Sequence, residues 1–155
     1  MTAREILVPI EEKPALAALM RDYMAEMGQI IGVMDREYPH FDLYWTEPDV
    51  RWPFWLRVED ANAGFALVRR DVRANCTEMT EFFVARQHRR RGVGLAAARL
   101  VIGRYPGRWR ITQRENNVAA IAFWHRVLDG FVSYDETTTM TDAVRREQQF
   151  IVLQL

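Results

Sequence analysis

The stretch that most constrains the fold is residues 82–102, with the sequence FFVARQHRRRGVGLAAARLVI. An apolar strand is followed by a polar loop, and the Ala/Leu-rich run over 93–102 predicts a helix. Backbone N–H groups at a helix start are unpaired and attract anions, and Gly92 and Gly94 lack the Cβ that keeps a phosphate from the main chain. The stretch therefore predicts either a phosphate-binding loop or glycines that only shape a turn.

The rest of the chain predicts an α/β (α+β) fold. Apolar residues at helical spacing predict a helix over about 14–31, and another over 116–128 with Asn116 or Asn117 as its N-cap. Apolar runs predict about seven strands in the order β-α-β-β-β-α-β-α-β-β. This order favours a mixed, mostly antiparallel sheet flanked by helices. Segment 32–53 has no periodicity, which predicts a lid, a binding loop or short helices.

Bulk properties narrow the class of protein. A chain of 155 residues is long enough for a single domain, 1–155, with its own core. Its 21 basic and 21 acidic residues give zero net charge, which argues against a nucleic-acid partner. The single cysteine excludes an intrachain disulfide. Charges near the N-terminus do not fit a signal peptide and no apolar run approaches the roughly 18 residues of a membrane span, so we expect a cytoplasmic protein without membrane contact.

Two other interpretations of the loop are weaker. Four arginines, Arg86 and those at 89–91, can contact nucleic-acid phosphates, but in a neutral chain such a cluster is more often a solvated turn. Residues 92–97 match the G-x-G-x-x-A pattern of an NAD-binding oxidoreductase. In that fold the glycines follow the strand directly, whereas here residues 85–91 come between.

A resemblance decides between these interpretations. Residues 84–100, VARQHRRRGVGLAAARL, are similar to the acyl-CoA binding motif of the GNAT N-acyltransferase superfamily, which reads Q/R-x-x-G-x-G/A after a strand. Arg89, Gly92 and Gly94 fill this motif. The predicted order of elements is also the order of this family, so the resemblance in topology covers nearly the whole chain.

A second motif supports the same family. Residues 116–131, NNVAAIAFWHRVLDGF, resemble its N-x-x-A-x-x-x-Y-x-x-x-G-F helix, with a wider last spacing. The matching positions are Asn117, Ala120, Trp124, Gly130 and Phe131. Two motifs in the right order, on the right elements, make the resemblance specific.

The resemblance implies an acetyl-CoA-dependent N-acetyltransferase. In this family the pyrophosphate lies on the amides of the loop and helix start, and the pantetheine lies in a V-shaped gap where two parallel strands splay. Here those strands would be the one ending at 82–84 and the one over 108–112. The residues assigned to the donor by the resemblance are Phe82, Phe83, Val84, Arg89, Arg90, Arg91, Gly92, Val93, Gly94, Leu95, Asn117 and Trp124.

Direct attack by an amine on the thioester requires a base and a way to release the thiolate. Glu78 and Glu81 are the candidate bases, and on a regular strand residues three apart face opposite ways, so we expect at most one to look into the site. Many members of the family have a Tyr as general acid where this chain has Trp124, and an indole N–H has no useful acidity. Tyr134 or Tyr105 would then replace it, or the thiolate leaves without enzyme help.

The acceptor is the least constrained part. Segment 32–53 is where the family builds its acceptor wall, and its five acids among five aromatic residues favour a small cationic amine, with a protein amine also open. The oligomeric state, a homodimer included, stays open. No His, Cys or carboxylate spacing indicates a metal site. Trp124 also favours an alternative, a GNAT-fold module that binds acyl-CoA with little or no turnover.

Overall fold

Seven strands and four helices make up the described residues, 2–32 and 38–154, of the computed structural model. They follow in the order β1 (Ala3–Leu7), α1 (Lys13–Ile31), α2 (Leu43–Thr46), β2 (Arg51–Val58), β3 (Ala61–Asp71), β4 (Cys76–Val84), α3 (Val93–Gly103), β5 (Gly107–Arg114), α4 (Val118–Leu128), β6 (Tyr134–Met140) and β7 (Val144–Val152). Short 3-10 turns lie at Ile10–Glu12 and Arg86–His88. The predicted helices are found as α1, α3 and α4, and segment 32–53 contains α2.

All seven strands form one mixed sheet in the order β1-β2-β3-β4-β5-β7-β6. Neighbouring strands are antiparallel except β4 and β5, which are parallel. The predicted mixed, mostly antiparallel sheet is therefore confirmed. An NAD-binding fold needs a doubly wound parallel sheet, so the interpretation of residues 92–97 as a dinucleotide fingerprint does not fit this topology.

The sheet is covered by helices on both faces, which is why its central strands are continuous apolar runs. On the first face, which we call the α1 face, the buried core includes Leu16, Tyr23, Phe65, Leu67 and Phe83. On the second face, which we call the α3/α4 face, it includes Val101, Trp109, Ile111, Trp124 and Phe150. Strand alternation then assigns the other strand residues to one face or the other.

Strand β4 carries a bulge at Thr80. In the β3–β4 register Leu67 is opposite Glu81 and Val68 is opposite Met79, so Thr80 has no partner on β3. The Thr80 hydroxyl donates to the Leu67 carbonyl at 2.9 Å. The extra residue shifts the alternation by one position, so Glu78 and Glu81 lie on the same face, the α1 face. The expectation that they face opposite ways was wrong because it assumed a regular strand.

Candidate active site

The parallel strands β4 and β5 separate after a short paired segment. Residues 77–79 pair with residues 109–111, and within the described chain the pairing does not continue between 80–84 and 112–114. Beyond that point β4 pairs only with β3, and β5 pairs only with β7. The two strands therefore diverge into a gap, as the resemblance implied.

The β4 edge of this gap presents main-chain groups. The Ala85 N–H donates to the Ala63 carbonyl on β3 at 2.8 Å, so alternation turns the peptide groups of Phe82 and Val84 toward the gap. The Val84 carbonyl accepts a hydrogen bond from Arg89 Nε at 2.8 Å. The peptide group of Phe82 is positioned to pair with an extended ligand arm, as an added strand would.

The loop before α3 presents unpaired N–H groups. The first hydrogen bond of the helix runs from the Ala96 N–H to the Gly92 carbonyl, at 3.1 Å. Among the described residues, no acceptor meets the N–H groups of residues 90–95. Arg90 (φ 62°) and Gly92 (φ 74°) have left-handed backbone conformations. Alternating conformations of this kind gather successive N–H groups into an anion-binding concavity at the helix start.

The Arg89 side chain holds this loop in place instead of reaching into the concavity. Besides Val84, its guanidinium donates to the Glu26 carboxylate on α1, and it lies 5.4 Å from the centre of the Phe83 ring. Arg86 adds a second ion pair to Glu26 at 3.5 Å. The hydrogen bond from Arg89 lowers the pKa of Glu26, so the contact persists as a charged pair. Arg90 and Arg91 are exposed beside the concavity.

The two glycines have different structural reasons. Position 92 favours a residue without a Cβ because its φ is positive, although the space around it is open. Gly94 has an ordinary φ, but a Cβ there would lie 3.1 Å from the Phe123 ring and 3.3 Å from Val84 Cγ2. Gly94 therefore allows the start of α3 to pack on α4 and β4. Sequence reasoning assigned both glycines to phosphate approach and did not anticipate this packing.

Helix α4 contributes the wall of the gap on the α3/α4 face. Trp124 is 6% exposed, and its ring lies 5.3 Å from Phe82 and 5.0 Å from Phe123. Phe82 also stacks on Phe123 at 5.4 Å. Within the described ranges, the Trp124 indole N–H has no hydrogen-bond acceptor. Phe123 was missed from the sequence because a helical aromatic residue gives no signal apart from its packing.

Asn117 lies at the start of α4 and is buried. Its Oδ1 accepts from the Ala120 N–H at 3.2 Å, which makes it the N-cap, and its Nδ2 donates to Met27 Sδ on α1 at 3.7 Å. The side chain thus fixes the start of α4 against α1. Its hydrogen bond to the thioether sulfur of Met27 is the weaker of the two contacts.

Glu81 is the titratable group next to the gap. Tyr23 on α1 donates its hydroxyl hydrogen to the Glu81 carboxylate. Burial raises the pKa of Glu81 to about 7, and hydrogen bonds from Tyr23 and Tyr38 partly oppose the rise. A carboxylate with a pKa near neutrality can accept a proton from a substrate and release it to water.

Glu78 has a different environment. Arg110 lies 3.0 Å from its Oε1, and Arg69 donates to the same oxygen. Asp71 completes the cluster, at 3.2 Å from Arg69 and 3.0 Å from Arg110. Two acids and two guanidinium groups therefore neutralise one another at the paired end of β4 and β5, which is typical of a structural ion-pair cluster.

Tyr134 lies away from the gap. Tyr134 on β6 pairs with Phe150 on β7, and Phe150 pairs with Trp109 on β5. Trp109 in turn pairs with Thr77 on β4, so this row of residues crosses the sheet at the closed end of the gap. The Tyr134 hydroxyl donates to Asp129 at 3.0 Å, beyond the C-terminal end of α4. Tyr105 stacks on Trp52 at 4.4 Å, also away from the gap. The structure brings neither hydroxyl to Trp124.

The acids of segment 32–53 do not form one cluster in the described residues. Asp42 pairs with Lys13 at 2.6 Å and Glu47 pairs with Arg51 at 3.0 Å. The aromatic side chains of this segment mostly cover the α1 face; they are Tyr38, Phe41, Tyr44 and Trp45. Asp35 and Glu37 lie outside the described residues. The basis for a cationic acceptor is therefore smaller than the sequence suggested.

Two features are not found in the part of the chain that the structure describes. No three His, Cys, Asp or Glu side chains are grouped as metal ligands. No helix there is long and apolar enough to cross a bilayer.

Comparison with known proteins tests the resemblance. The sequence profile of the acetyltransferase (GNAT) family matches residues 16–129. The chain belongs to this family. The matched range contains the β4 edge, the loop before α3, the gap and all of α4. The chain is therefore an acyltransferase of the GNAT type, with acyl-CoA as its cosubstrate.

Solved structures show the same fold. An acetyltransferase from Thermus thermophilus is 17% identical, with 96% of each chain covered and a TM-score of 0.74. An aminoglycoside acetyltransferase in complex with coenzyme A is 9% identical, with 97% of this chain and 95% of its own covered and a TM-score of 0.73. The ribosomal-protein-S18-alanine N-acetyltransferase from Escherichia coli is 15% identical, with 99% and 96% covered and a TM-score of 0.66. No curated protein sequence matches the chain.

Proposed function

We propose that this GNAT enzyme transfers an acetyl group from acetyl-CoA to the primary amine of an acceptor. The observation that carries the proposal is the arrangement around the gap between β4 and β5. The unpaired N–H groups of 90–95 lie at its α3 side, and Glu81, with a pKa of about 7, lies on the β4 edge. A diphosphate on the loop would let the thiol arm extend along Phe82 toward the carboxylate.

The reaction removes two protons from the acceptor nitrogen and exchanges one C–S bond for one C–N bond. Glu81 accepts a proton from the acceptor ammonium, directly or through water, and the free amine attacks the thioester carbonyl carbon. The C–N bond forms and the C–S bond breaks, so the electron pair of the broken bond leaves on the CoA sulfur. The nitrogen loses its second proton to solvent as the amide forms. Glu81 then releases its proton to solvent.

The leaving thiolate receives no proton from Trp124, because the indole N–H donates hydrogen bonds but is not acidic at neutral pH. Its N–H can still stabilise the charge on sulfur. This feature also favours the second candidate function, a module that binds acyl-CoA with little or no turnover, since the described residues place no hydroxyl of Tyr134 or Tyr105 near the gap.

The acceptor class is an amine, as for structural neighbours that act on an aminoglycoside and on a ribosomal-protein alanine. The acetyl group, a cytoplasmic location and a homodimer stay predictions from the sequence.

The experiment measures CoA binding and turnover separately. We expect CoA to raise the melting temperature, and acetyl-CoA with a panel of amines to release free thiol. Stabilisation by CoA without thiol release for any amine would support the binding module. Absence of stabilisation by CoA would contradict the proposal.

A further inference from the structure

Helix α1 directs three side chains from one turn to three different parts of the candidate site. Tyr23 donates to Glu81 on β4, and Met27 accepts from the N-cap residue of α4. Between them in the sequence, Glu26 accepts from Arg89, which lies in the loop before α3. Residues three and four positions apart lie on the same side of a helix, so all three contacts come from one side of α1.

Arg89 anchors the N-terminal end of residues 89–95, which we call the donor loop. Its main-chain N–H donates to the Arg86 carbonyl at 3.2 Å, and its side-chain Nε donates to the Val84 carbonyl at 2.8 Å. The other end of the donor loop is fixed because it is the first turn of α3. Between these ends, the N–H groups of 90–95 meet no acceptor among the described residues. The shape of the donor loop therefore depends on how firmly Arg89 is held.

Glu26 provides the charged contact that holds the Arg89 guanidinium group. Its Oε2 accepts from Arg89 Nη2, and Arg86 Nη2 lies 3.5 Å from its Oε1. One carboxylate therefore faces two guanidinium groups. The side chains of Glu26 and Arg89 are only 25% and 36% exposed, so solvent screens this pair in part.

Arg89 is held by the sheet as well as by α1. Its guanidinium group lies 5.4 Å from the centre of the Phe83 ring, which is buried in the core of the α1 face. Moving the Arg89 side chain onto a diphosphate would break its contacts with this ring and with Glu26. Arg90 and Arg91 are exposed and can meet a phosphate without such a loss. These contacts favour Arg89 as an anchor of the loop over Arg89 as a ligand of the donor.

We propose that Glu26 is a positioning residue for acyl-CoA, which holds Arg89 so that the N–H groups of 90–95 are presented to the diphosphate. Glu26 itself does not touch the donor. The proposal rests on the function proposed above, in which this loop binds the diphosphate. It gives α1 two separate roles, since Tyr23 acts on the base Glu81 and Glu26 acts on the donor loop.

The first test measures CoA affinity by calorimetric titration. Glu26→Gln keeps the size of the side chain and removes its charge. We expect it to weaken CoA binding roughly fivefold or more, because a partly buried, charge-assisted hydrogen bond that shapes the loop is lost. Equal or tighter binding would overturn the proposal, since it would show that the carboxylate restrains Arg89 or repels the donor.

Asp22→Asn is the matched control for this titration. Asp22 is an exposed acid on the same helix, so the substitution makes the same change in net charge. We expect it to change CoA affinity by less than about twofold. A loss as large as in Glu26→Gln would overturn the proposal, because it would assign the effect to the overall charge of α1.

A double variant tests whether the effect of Glu26 passes through Arg89. Arg89→Gln should weaken CoA binding at least as much as Glu26→Gln does. Adding Glu26→Gln to Arg89→Gln should bring no further loss, because two residues that act through one contact are not additive. Losses that multiply would show that Glu26 acts independently of Arg89 and would overturn the proposal.

The ligand-free protein gives a measurement that does not require CoA. In two-dimensional amide NMR spectra, the signals of residues 90–95 should shift or broaden in Glu26→Gln and stay in place in Asp22→Asn. The signals of β6 and β7, which lie at the far edge of the sheet, should stay in place in both variants. Unchanged signals at 90–95 in Glu26→Gln would contradict a positioning role.

Kinetics separate this proposal from the proposed function. With an amine that releases thiol, Glu26→Gln should raise KM for acetyl-CoA more than it lowers kcat, and the pH midpoint set by Glu81 should not move. A lower kcat at constant KM would overturn the positioning role. Failure of the unmodified protein to bind CoA would contradict the proposed function itself, whereas CoA binding that is insensitive to Glu26→Gln would overturn only this proposal.

Discussion

The hydroxyl group of Tyr23 on α1 donates a hydrogen bond to the carboxylate of Glu81 on β4. This contact joins the helix that covers the sheet to the strand that borders the gap. Burial raises the pKa of Glu81 to about 7 while the hydrogen bond opposes the rise, so helix packing sets the pH at which the carboxylate can act as a base.

Glu81→Gln should lower kcat/KM by on the order of a hundredfold or more, because it removes the general base. In the unmodified protein kcat/KM should rise with pH through about 7, as Glu81 becomes ionised. The variant should lose this rise. Both are measured by thiol release between pH 5.5 and 9, and a pH profile that is unchanged in the variant would assign the base elsewhere.

Tyr23→Phe should move the same kinetic pKa upward, since a hydrogen bond to the ionised form of Glu81 is lost. Tyr44→Phe is the control, because the Tyr44 hydroxyl bonds Thr80 at 2.6 Å instead of the carboxylate. The measurement is the midpoint of the kcat/KM profile for each variant. A shift of the same size in both variants would indicate loosened packing instead of a lost hydrogen bond.

The stability of the fold should depend on the ionisation of Glu81. Its folded pKa of about 7 exceeds the ordinary value of 4.5, so the folded state binds the proton more tightly than the unfolded state. The free energy of unfolding should therefore fall as the pH rises from about 4.5 to about 7, by up to on the order of 3 kcal/mol. Urea unfolding at pH 5 and pH 8 measures the fall, and Glu81→Gln should lack it.

Gly92→Val should weaken CoA binding roughly tenfold or more while the protein still folds, because φ of 74° strains a β-branched residue and displaces the loop N–H groups. Gly103→Ala is the control, since Gly103 has open space and no positive φ. Calorimetric titration with CoA checks the affinity. Full affinity in Gly92→Val would contradict the anion-binding loop.

Trp124→Phe should change kcat by less than about tenfold, because the indole N–H is a hydrogen-bond donor and not an acid. The loss of buried ring area should cost roughly 1–3 kcal/mol of stability. Single-turnover thiol release and urea unfolding measure the two effects. A kcat reduced as strongly as in Glu81→Gln would show that Trp124 takes part in the chemistry.

Much of the fold follows from local patterns in the sequence. The helical spacing of Leu16, Met20, Tyr23 and Met24 reports the buried face of α1, and the glycines at 92 and 94 mark the loop. These signals are local because the 3.6-residue period and the left-handed backbone are properties of single segments. Helix α2 spans Leu43–Thr46 only, which is too short to show a period.

The missed features depend on contacts between distant segments. The bulge at Thr80 is defined by the register with the partner strand β3, and no residue type in the sequence indicates it. The ion pairs of Glu78 require Arg69 and Arg110 from two neighbouring strands. The close approach of Gly94 to Phe123 requires α3 and α4 to pack together. Such relationships emerge only when strand register and helix packing are known.

The unpaired Thr80 also has a consequence for comparing this chain with its relatives. A deletion of that single residue would leave every motif letter in place yet send the carboxylate of Glu78 to the opposite side of the sheet from that of Glu81. An alignment that counts back from the glycine loop by a fixed number would then equate acids that point in different directions. Homologous bases on this strand should be matched by their partners across the ladder, not by their distance along the chain.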